Sequence, residues 1–324
     1  MTPSQLRDLL VRHGLHLSRD LGQNFLVDDA LAGELAERAG AGAGCCAIEV
    51  GTGLGVLTRA LAARADRVRT VEIDSGLVRV LEAEALLPAN VELVHADARR
   101  IDWGGWLAAI SGPVRVIANL PYSVATPLLR VFLDHRERLA DWSVMIQREV
   151  ALRMRAATGG ADYGSLAVLH RLTTDVEELV RLGPERFFPR PKVESSFVRV
   201  WPRRTSLLGP GELERVEPIV RAAFSQRRKV VTNGLARIAE RRFPALDQHA
   251  RRAALDAVLQ RAGIDPRLRP ERIEPEAWLA LARAFEAAAG EPGAAQADPA
   301  ARDVGPSGDA RRAGGPGRGV GGDG

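Results

Sequence analysis

The sequence predicts an α/β fold, a mostly parallel sheet with helices on both faces, followed by a smaller α-helical domain. Three observations predict it. Short apolar runs alternate with stretches of helical periodicity from residue 45 to about residue 150, the pattern of parallel strands joined by crossover helices. A glycine-rich turn, EVGTGLGVLT at residues 49–58, sits where the first strand hands over to the first helix. From residue 212 to residue 289 the periodicity is helical throughout.

The elements follow in order. Pro3 suits the start of a helix, Leu6, Leu9, Leu10 and Val11 give it an apolar side, and Gly14 ends it. A loop containing GQNFL comes next. Asp28 is placed to cap a helix running to Ala39, and residues 40–44 break it before the buried-strand pattern CCAIEV at 45–50. Further strands are expected at 68–73, 91–95, 114–118 and 142–146, with helices beginning near Val56, Ser75 and Pro127. Helices at 149–156 and 165–173 precede extended stretches at 176–182 and 195–201, which can add antiparallel strands at the sheet edge. Residues 202–211 read as a linker, after which Val216, Ile219, Val220 and Phe224 mark the apolar face of the first helix of the second domain. Beyond Gly290 the chain is Gly, Ala, Pro, Asp and Arg with almost no large apolar residue, so disorder is expected there. The boundaries are therefore 1–205, 206–289 and 290–324.

With 324 residues, 46% of them hydrophobic, the chain can bury two cores. Lys and Arg number 45 against 41 Asp and Glu, and the isoelectric point near 9.6 favours an anionic partner over a neutral one. A well-solvated arginine-rich surface is the alternative. Cys45 and Cys46 are adjacent and have no CxxC or His/Cys spacing around them, so neither a metal site nor a disulfide framework is expected. Charges interrupt the first 14 residues where a signal peptide needs an apolar stretch, and no run approaches membrane-spanning length. The expected location is the cytoplasm.

Glycines at positions 51, 53 and 55 let the backbone of the EVGTGLGVLT turn bend tightly and approach a ligand closely. The order GxGxG differs from the GxGxxG of dinucleotide sites, so the loop alone reads equally as a nucleotide site or a structural turn. The next strand ends VEID, which puts Glu72 one βα unit downstream, where a carboxylate accepts hydrogen bonds from both hydroxyls of a ribose. The third strand ends HADA, with Asp97 placed to accept from an exocyclic adenine amine. Each acid also has a plain reading as a helix N-cap or a solvated turn residue. Together they fit an adenosine, and nothing here is arranged to hold phosphates, so the cofactor expected is S-adenosylmethionine.

The fourth strand runs into NLPYSVATP at residues 119–127, the most specific signal in the chain. The lone pair of an adenine N6 is delocalised into the ring and makes a poor nucleophile. Acceptors for both its protons, the Asn119 side-chain oxygen and the Leu120 carbonyl, would favour the pyramidal nitrogen that attacks. Pro121 would fix the backbone so that this carbonyl points at the amine, and Tyr122 offers a face for an extruded base. The alternative is a turn after a strand with a core tyrosine. Methyl transfer by in-line displacement draws its rate chiefly from positioning, without a strong base or a metal.

Asn or Asp, then Pro, then an aromatic is the signature shape of amino-group methyltransferases. In order, EVGTGLGVLT, VEID, HADA and NLPYSVATP resemble the small-subunit ribosomal RNA adenine dimethyltransferases, the KsgA-type family. GQNFL at 22–26, QREVALRM at 147–154, YGSL at 163–166, FFPRPKVESS at 187–196 and AFSQRRKVVTNGL at 223–235 are similar too. The resemblance spans nearly everything except the tail. It implies a Rossmann-like class I methyltransferase domain and a helical RNA-binding domain. It further implies that Asn24, Leu26, Gly51, Gly53, Glu72, Asp97 and Asn119 bind the cofactor. Asn119, Leu120, Pro121 and Tyr122 would be catalytic, with Phe187 as a second aromatic wall for the target base. Arg227, Arg228 and Lys229 on a helical surface, with Arg190 and Lys192, would contact RNA phosphates, a solvated helix face being the alternative. The lead-in HLSRDL before GQNFL is less basic than is typical of the family.

Family members dimethylate two adjacent adenosines in a hairpin loop near the 3′ end of 16S rRNA, late in assembly of the small subunit. The partner implied is a pre-30S particle, met by a monomer. Rival readings are a large-subunit rRNA adenine methyltransferase of the antibiotic-resistance type and an RNA-binding assembly or transcription factor without activity. The first usually reads Ile where Leu120 stands and usually lacks the tripeptide at 125–127, and the second is opposed by intact cofactor and catalytic positions.

Overall fold

The computed structural model describes residues 3–15, 22–204, 207–209 and 211–290. The chain opens with α1 (Pro3–Arg12), β1 (Phe25–Leu26) and α2 (Asp29–Arg38). Alternation follows: β2 (Cys46–Val50), α3 (Val56–Ala62), β3 (Arg67–Glu72), α4 (Ser75–Ala83), β4 (Val91–His95), α5 (Trp103–Ala108), β5 (Val114–Asn119), α6 (Ala125–Asp134) and β6 (Asp141–Gln147). Then come α7 (Arg148–Arg155), α8 (Ser165–Thr173), β7 (Thr174–Leu182), β8 (Phe187–Phe188) and β9 (Ser195–Pro202). The helices α9 (Glu212–Phe224), α10 (Val231–Arg242), α11 (Gln248–Arg261) and α12 (Pro275–Gly290) complete the described chain.

Seven strands form one sheet in the order β4-β3-β2-β5-β6-β9-β7. The first five are parallel, whereas β9 runs antiparallel to both β6 and β7. All five residues of β2 are buried, which is why this strand reads as a continuous apolar run rather than an alternating one. Because β2 lies between β3 and β5, the strand order reverses around it. In open α/β sheets ligands bind at the carboxyl ends of the strands flanking such a reversal.

The expected parallel sheet and its antiparallel edge are present, with three differences. Helix α5 stands where no helix was expected: two glycines in WGGWLA mask it, but Asp102 caps it by accepting from the Gly105 N–H at 3.1 Å, and Trp103 and Leu107 are buried. Strand β7 starts at Thr174, directly off α8, so no break separates them. The GQNFL loop contains β1, which pairs antiparallel with β8 through Phe25 opposite Phe188 and Leu26 opposite Phe187.

One hydrophobic core runs from the sheet through α7 and α8 into α9–α12. Tyr163 bridges the two regions: it is fully buried, its hydroxyl donates to the Ile273 carbonyl at 2.9 Å, and its ring meets Phe224, which meets Trp278. Helices α9 and α10 touch backbone to backbone at Gly234, where a Cβ would lie 2.7 Å from Ala223 Cα. The HLSRDL lead-in at 16–21 and the tail beyond residue 290 lie outside the described residues.

Candidate active site

A cavity of about 230 Å3 opens at the carboxyl ends of β2, β3 and β5. Asn24, Gly51, Gly53, Glu72, Asp97, Asn119, Leu120 and Pro121 all line it, so strand ends far apart in sequence bring eight of the expected residues together. Gly51 and Gly53 adopt positive φ, +84° and +58°, a conformation that favours glycine. A Cβ on Gly51 would lie 3.5 Å from the Pro121 ring, and one on Gly53 would lie 2.8 Å from Phe25 Cδ1. The loop is thus bare on both sides, with NLPY packed against one glycine and Phe25 against the other.

Asn119 ends β5, and its Nδ2 donates to the Asn24 carbonyl at 2.8 Å. A carbonyl can only accept, so the amide nitrogen is committed and the Asn119 oxygen is the group left for the cavity. Among the described residues no backbone N–H donates to the Leu120 carbonyl. Two acceptors on consecutive residues are therefore available beside the cavity.

Glu72 is 5% exposed and holds three backbone donors, Gly53 N–H on Oε2 and the N–H groups of Ile73 and Asp74 on Oε1, each at 2.9 Å. Burial pushes its carboxyl above the usual carboxylate range, while those donors favour the charged form. The helix-capping task falls to Asp74, which accepts from Gly76 N–H at 2.8 Å and Leu77 N–H at 3.3 Å and also from Gln23 Nε2 at 2.7 Å. Asp97 is both a cavity residue and a turn residue. Arg99 donates to it from its backbone N–H at 2.9 Å and from Nη2 at 2.7 Å, and the same guanidinium holds the Asp97 carboxyl below its usual range. Beneath the glycine loop Glu49 is buried, accepting from Thr58 Oγ1 at 2.5 Å and Thr70 Oγ1 at 3.0 Å, and Thr70 in turn meets Thr52 at 2.7 Å. Burial pushes the Glu49 carboxyl up to about 8.

The remaining expected residues stand elsewhere. Leu26 does not line the cavity; its side chain joins a core cluster that also holds Phe187. Phe187 is 2% exposed, so the expected open aromatic wall is a core ring here, packed in a cluster with Leu26, Leu182 and Phe197. Tyr122 is half-buried, with its hydroxyl 2.6 Å from Ser195 Oγ, and Ser195 pairs with Leu182 in the sheet. Both aromatics thus converge on the β7–β9 edge without lining the cavity. Arg227, Arg228 and Lys229 lie on the turn between α9 and α10, not on a helical surface, because α9 ends at Phe224. Arg227 has a structural tie: Nε meets Glu271 at 3.0 Å and Nη2 donates to the Gly160 carbonyl at 3.1 Å. Arg190 and Lys192 belong to the β8–β9 connection.

Sequence reasoning missed Phe25, Arg99 and Gln23, all of which line the cavity. GQNFL itself held the signal for two of them, and the third stands two residues after Asp97. Among the described residues no group of His, Cys, Asp and Glu could hold a metal ion, and no helix is long and apolar enough to cross a membrane. The cavity suits an adenosine ligand, with a buried carboxylate against the glycine loop and a second acid one strand away.

Comparisons with known proteins bear on this geometry. Residues 14–262 match the family model described as ribosomal RNA adenine dimethylase. The chain is 40% identical over 286 residues to ribosomal RNA small subunit methyltransferase A of Rhodospirillum rubrum, covering 87% of this chain and 93% of that protein. It is 38% identical over 241 residues to the protein of the same name from Moorella thermoacetica, covering 72% and 84%. Among solved structures, a dimethyladenosine transferase from Plasmodium falciparum shares the fold, with a TM-score of 0.67 at 23% identity over 82% of this chain and 98% of that one. The 23S rRNA methyltransferase ErmE gives a TM-score of 0.55 at 28% identity over 81% of this chain and 100% of that one.

Proposed function

The chain belongs to the ribosomal RNA adenine dimethylase family, and from that membership we propose that it dimethylates N6 of two adjacent adenosines in a hairpin loop near the 3′ end of 16S rRNA, using S-adenosylmethionine. The observation that carries the reading is the Asn119 to Asn24 hydrogen bond, which turns the amide oxygen of NLPY to the cavity shared with Glu72 and Asp97.

When bound, S-adenosylmethionine supplies a methyl group on a sulfonium. Glu72 would hold the ribose hydroxyls on lone pairs that its backbone N–H partners leave over, and Asp97 would accept from the adenine amine of the cofactor. Asn24, Gly51 and Gly53 line the same cavity and would help hold it. Asn119 Oδ1 and the Leu120 carbonyl take the two N6 protons of the target and hold its lone pair out of the ring plane. Tyr122, anchored by Ser195, offers a stacking face, whereas the Phe187 ring is held in the core with Leu26, Leu182 and Phe197. Arg190, Lys192, Arg228 and Lys229 meet RNA phosphates. In this division residues 1–205 carry the chemistry and, through Arg190 and Lys192, part of the RNA contact, residues 206–289 carry the rest, and a monomer acts on a pre-30S particle in the cytoplasm.

Small and large subunits from a strain lacking the modification, each incubated with methyl-labelled cofactor and the protein, test this directly. Label is expected on two neighbouring adenines near the 3′ end of the small-subunit RNA. Label confined to large-subunit RNA would overturn the substrate, and absence of cofactor binding by calorimetry would overturn the enzymatic reading.

A further inference from the structure

Many arginines in this chain are neutralised where they stand. Arg69 pairs with Glu92 and lies over the Trp106 ring, and Arg283 meets Glu212 at 2.7 Å. The same holds on the inner side of the α9–α10 hairpin, where Arg227 pairs with Glu271 at 3.0 Å and Arg242 with Glu286 at 3.1 Å. Their neighbours behave differently. Arg228, Lys229, Arg237 and Arg241 are all exposed, and among the described residues none has a carboxylate within ion-pair distance. Glu240 is exposed on the same helix and pairs with none of them.

Two of these cations line a groove of about 440 Å3 between the end of α9 and the outer face of α10. Asn233, Arg237 and Arg241 supply one wall, Ser225 and Gln226 face them, and Gly234 lies at the floor. Spacing explains the wall: residues four apart on a helix lie on one stripe, about 6 Å further along the axis at each step. That step is close to the separation of neighbouring phosphates on an RNA strand. Packing explains the floor, since α9 and α10 meet backbone to backbone at Gly234 and no bulky side chain fills the space.

We propose that this groove binds the phosphodiester backbone of ribosomal RNA, as a second grip apart from the methyl-transfer cavity, with Arg237 and Arg241 on phosphates and Asn233 and Gln226 on phosphate or ribose oxygens. The inference rests on the rRNA-methyltransferase reading given above. Guanidinium forks match phosphate oxygens in pairs, and side-chain amides provide neutral contacts that carry no sequence information. Only Ala222 and Gly234 among the lining residues are nonpolar, which disfavours a lipid surface or an apolar protein segment. Ser225 and Gln226 of the lining belong to the same connection between α9 and α10 as Arg228 and Lys229.

The test uses the full chain and small subunits lacking the modification, with affinity measured as a function of salt. The double variant Arg237→Gln/Arg241→Gln is expected to bind more weakly and to lower the slope of log K against log salt by about 1.4 to 1.8, the loss of two phosphate contacts. Arg242→Gln, which removes a cation paired inward, serves as the control and is expected to keep the wild-type slope. Cofactor affinity, read by calorimetry, should match wild type in both variants. A double variant with the wild-type slope would overturn the groove while leaving the methyltransferase reading intact. Loss of binding to anionic vesicles or to polyglutamate, with rRNA binding unchanged, would assign the groove to another partner. Wild-type protein that binds cofactor but no small-subunit RNA would overturn the functional reading itself.

Discussion

The Asn119 amide faces two ways: its nitrogen holds the Asn24 carbonyl, and its oxygen is left for the cavity. Replacing it by alanine removes both. Loss of an acceptor aimed at developing charge lowers kcat by roughly 10²- to 10³-fold, whereas loss of one neutral hydrogen bond to the N-terminal loop weakens cofactor binding by only about 0.5–1.5 kcal/mol. Single-turnover methylation and calorimetry on Asn119→Ala should therefore part company, and equal losses in both would mean that the residue only anchors the loop. Phe187 calls for the opposite reading. At 2% exposure its ring is core, so Phe187→Ala is expected to cost about 3–5 kcal/mol of stability, seen as a large fall in Tm. An unchanged Tm with slow turnover would return the residue to the role of a wall for the target base.

Among the elements, those with strong local patterning were legible and those made by long-range pairing were not. β2 through β6 announce themselves by their apolar residues, and the Asp28 cap behaves as its sequence position suggests, accepting from the Leu31 N–H, whereas the cap of α4 is Asp74 rather than Glu72. β1 and β8 hold two residues each, too few for any periodicity, and they exist because the long intervening chain folds back to bring Phe25 opposite Phe188 and Leu26 opposite Phe187. That pairing sends Leu26 to the core and Phe25 to the cavity, a choice of face that only the ladder decides. The candidate site shows the same split: strand ends bring Glu72, Asp97, Asn119, Leu120 and Pro121 to one cavity, while Arg99 on Asp97 depends on a side-chain contact with no periodic signal. A test of the β1 element follows from Gly53. Its φ of +58° and the Phe25 ring, 2.8 Å from where a Cβ would stand, leave no room for alanine. Gly53→Ala is expected to lose about 1–2 kcal/mol to backbone conformation alone, to push Phe25 off the glycine loop, and to weaken S-adenosylmethionine binding in calorimetry. Wild-type affinity would show that Phe25 does not cover the cofactor.

At the scale of the whole molecule, two buried groups in different parts of the core set opposite pH limits on stability. Glu49, under the glycine loop, has its carboxyl pushed by burial from 4.5 up to about 8. Its folded state favours the proton, so its contribution is fully present below pH 4.5 and is lost as pH rises to about 8. His170 on α8 is fully buried. Thr174 Oγ1 donates to the His170 carbonyl at 3.0 Å, so its lone pair is what the Nδ1–H meets at 3.1 Å, and Nε2 is left without a partner. A second proton would have no acceptor there, and burial lowers the imidazole from 6.5 to about 3. Its contribution is therefore full above pH 6.5 and is lost as pH falls to about 3. Between 4.5 and 6.5 the two slopes cancel. The acid side is steepened further by Glu178 and Glu212, whose arginine partners hold them down at about 2. Tm is thus expected to form a plateau across that interval and to fall on both sides. Glu49→Gln keeps an acceptor for Thr58 and Thr70 but cannot ionise, so it should abolish the fall between pH 6.5 and 8 while leaving the acid limb in place. A variant that retains the wild-type alkaline limb would show that Glu49 is charged in the folded protein at neutral pH, and the buried network beneath the cofactor loop would then have to hold an anion.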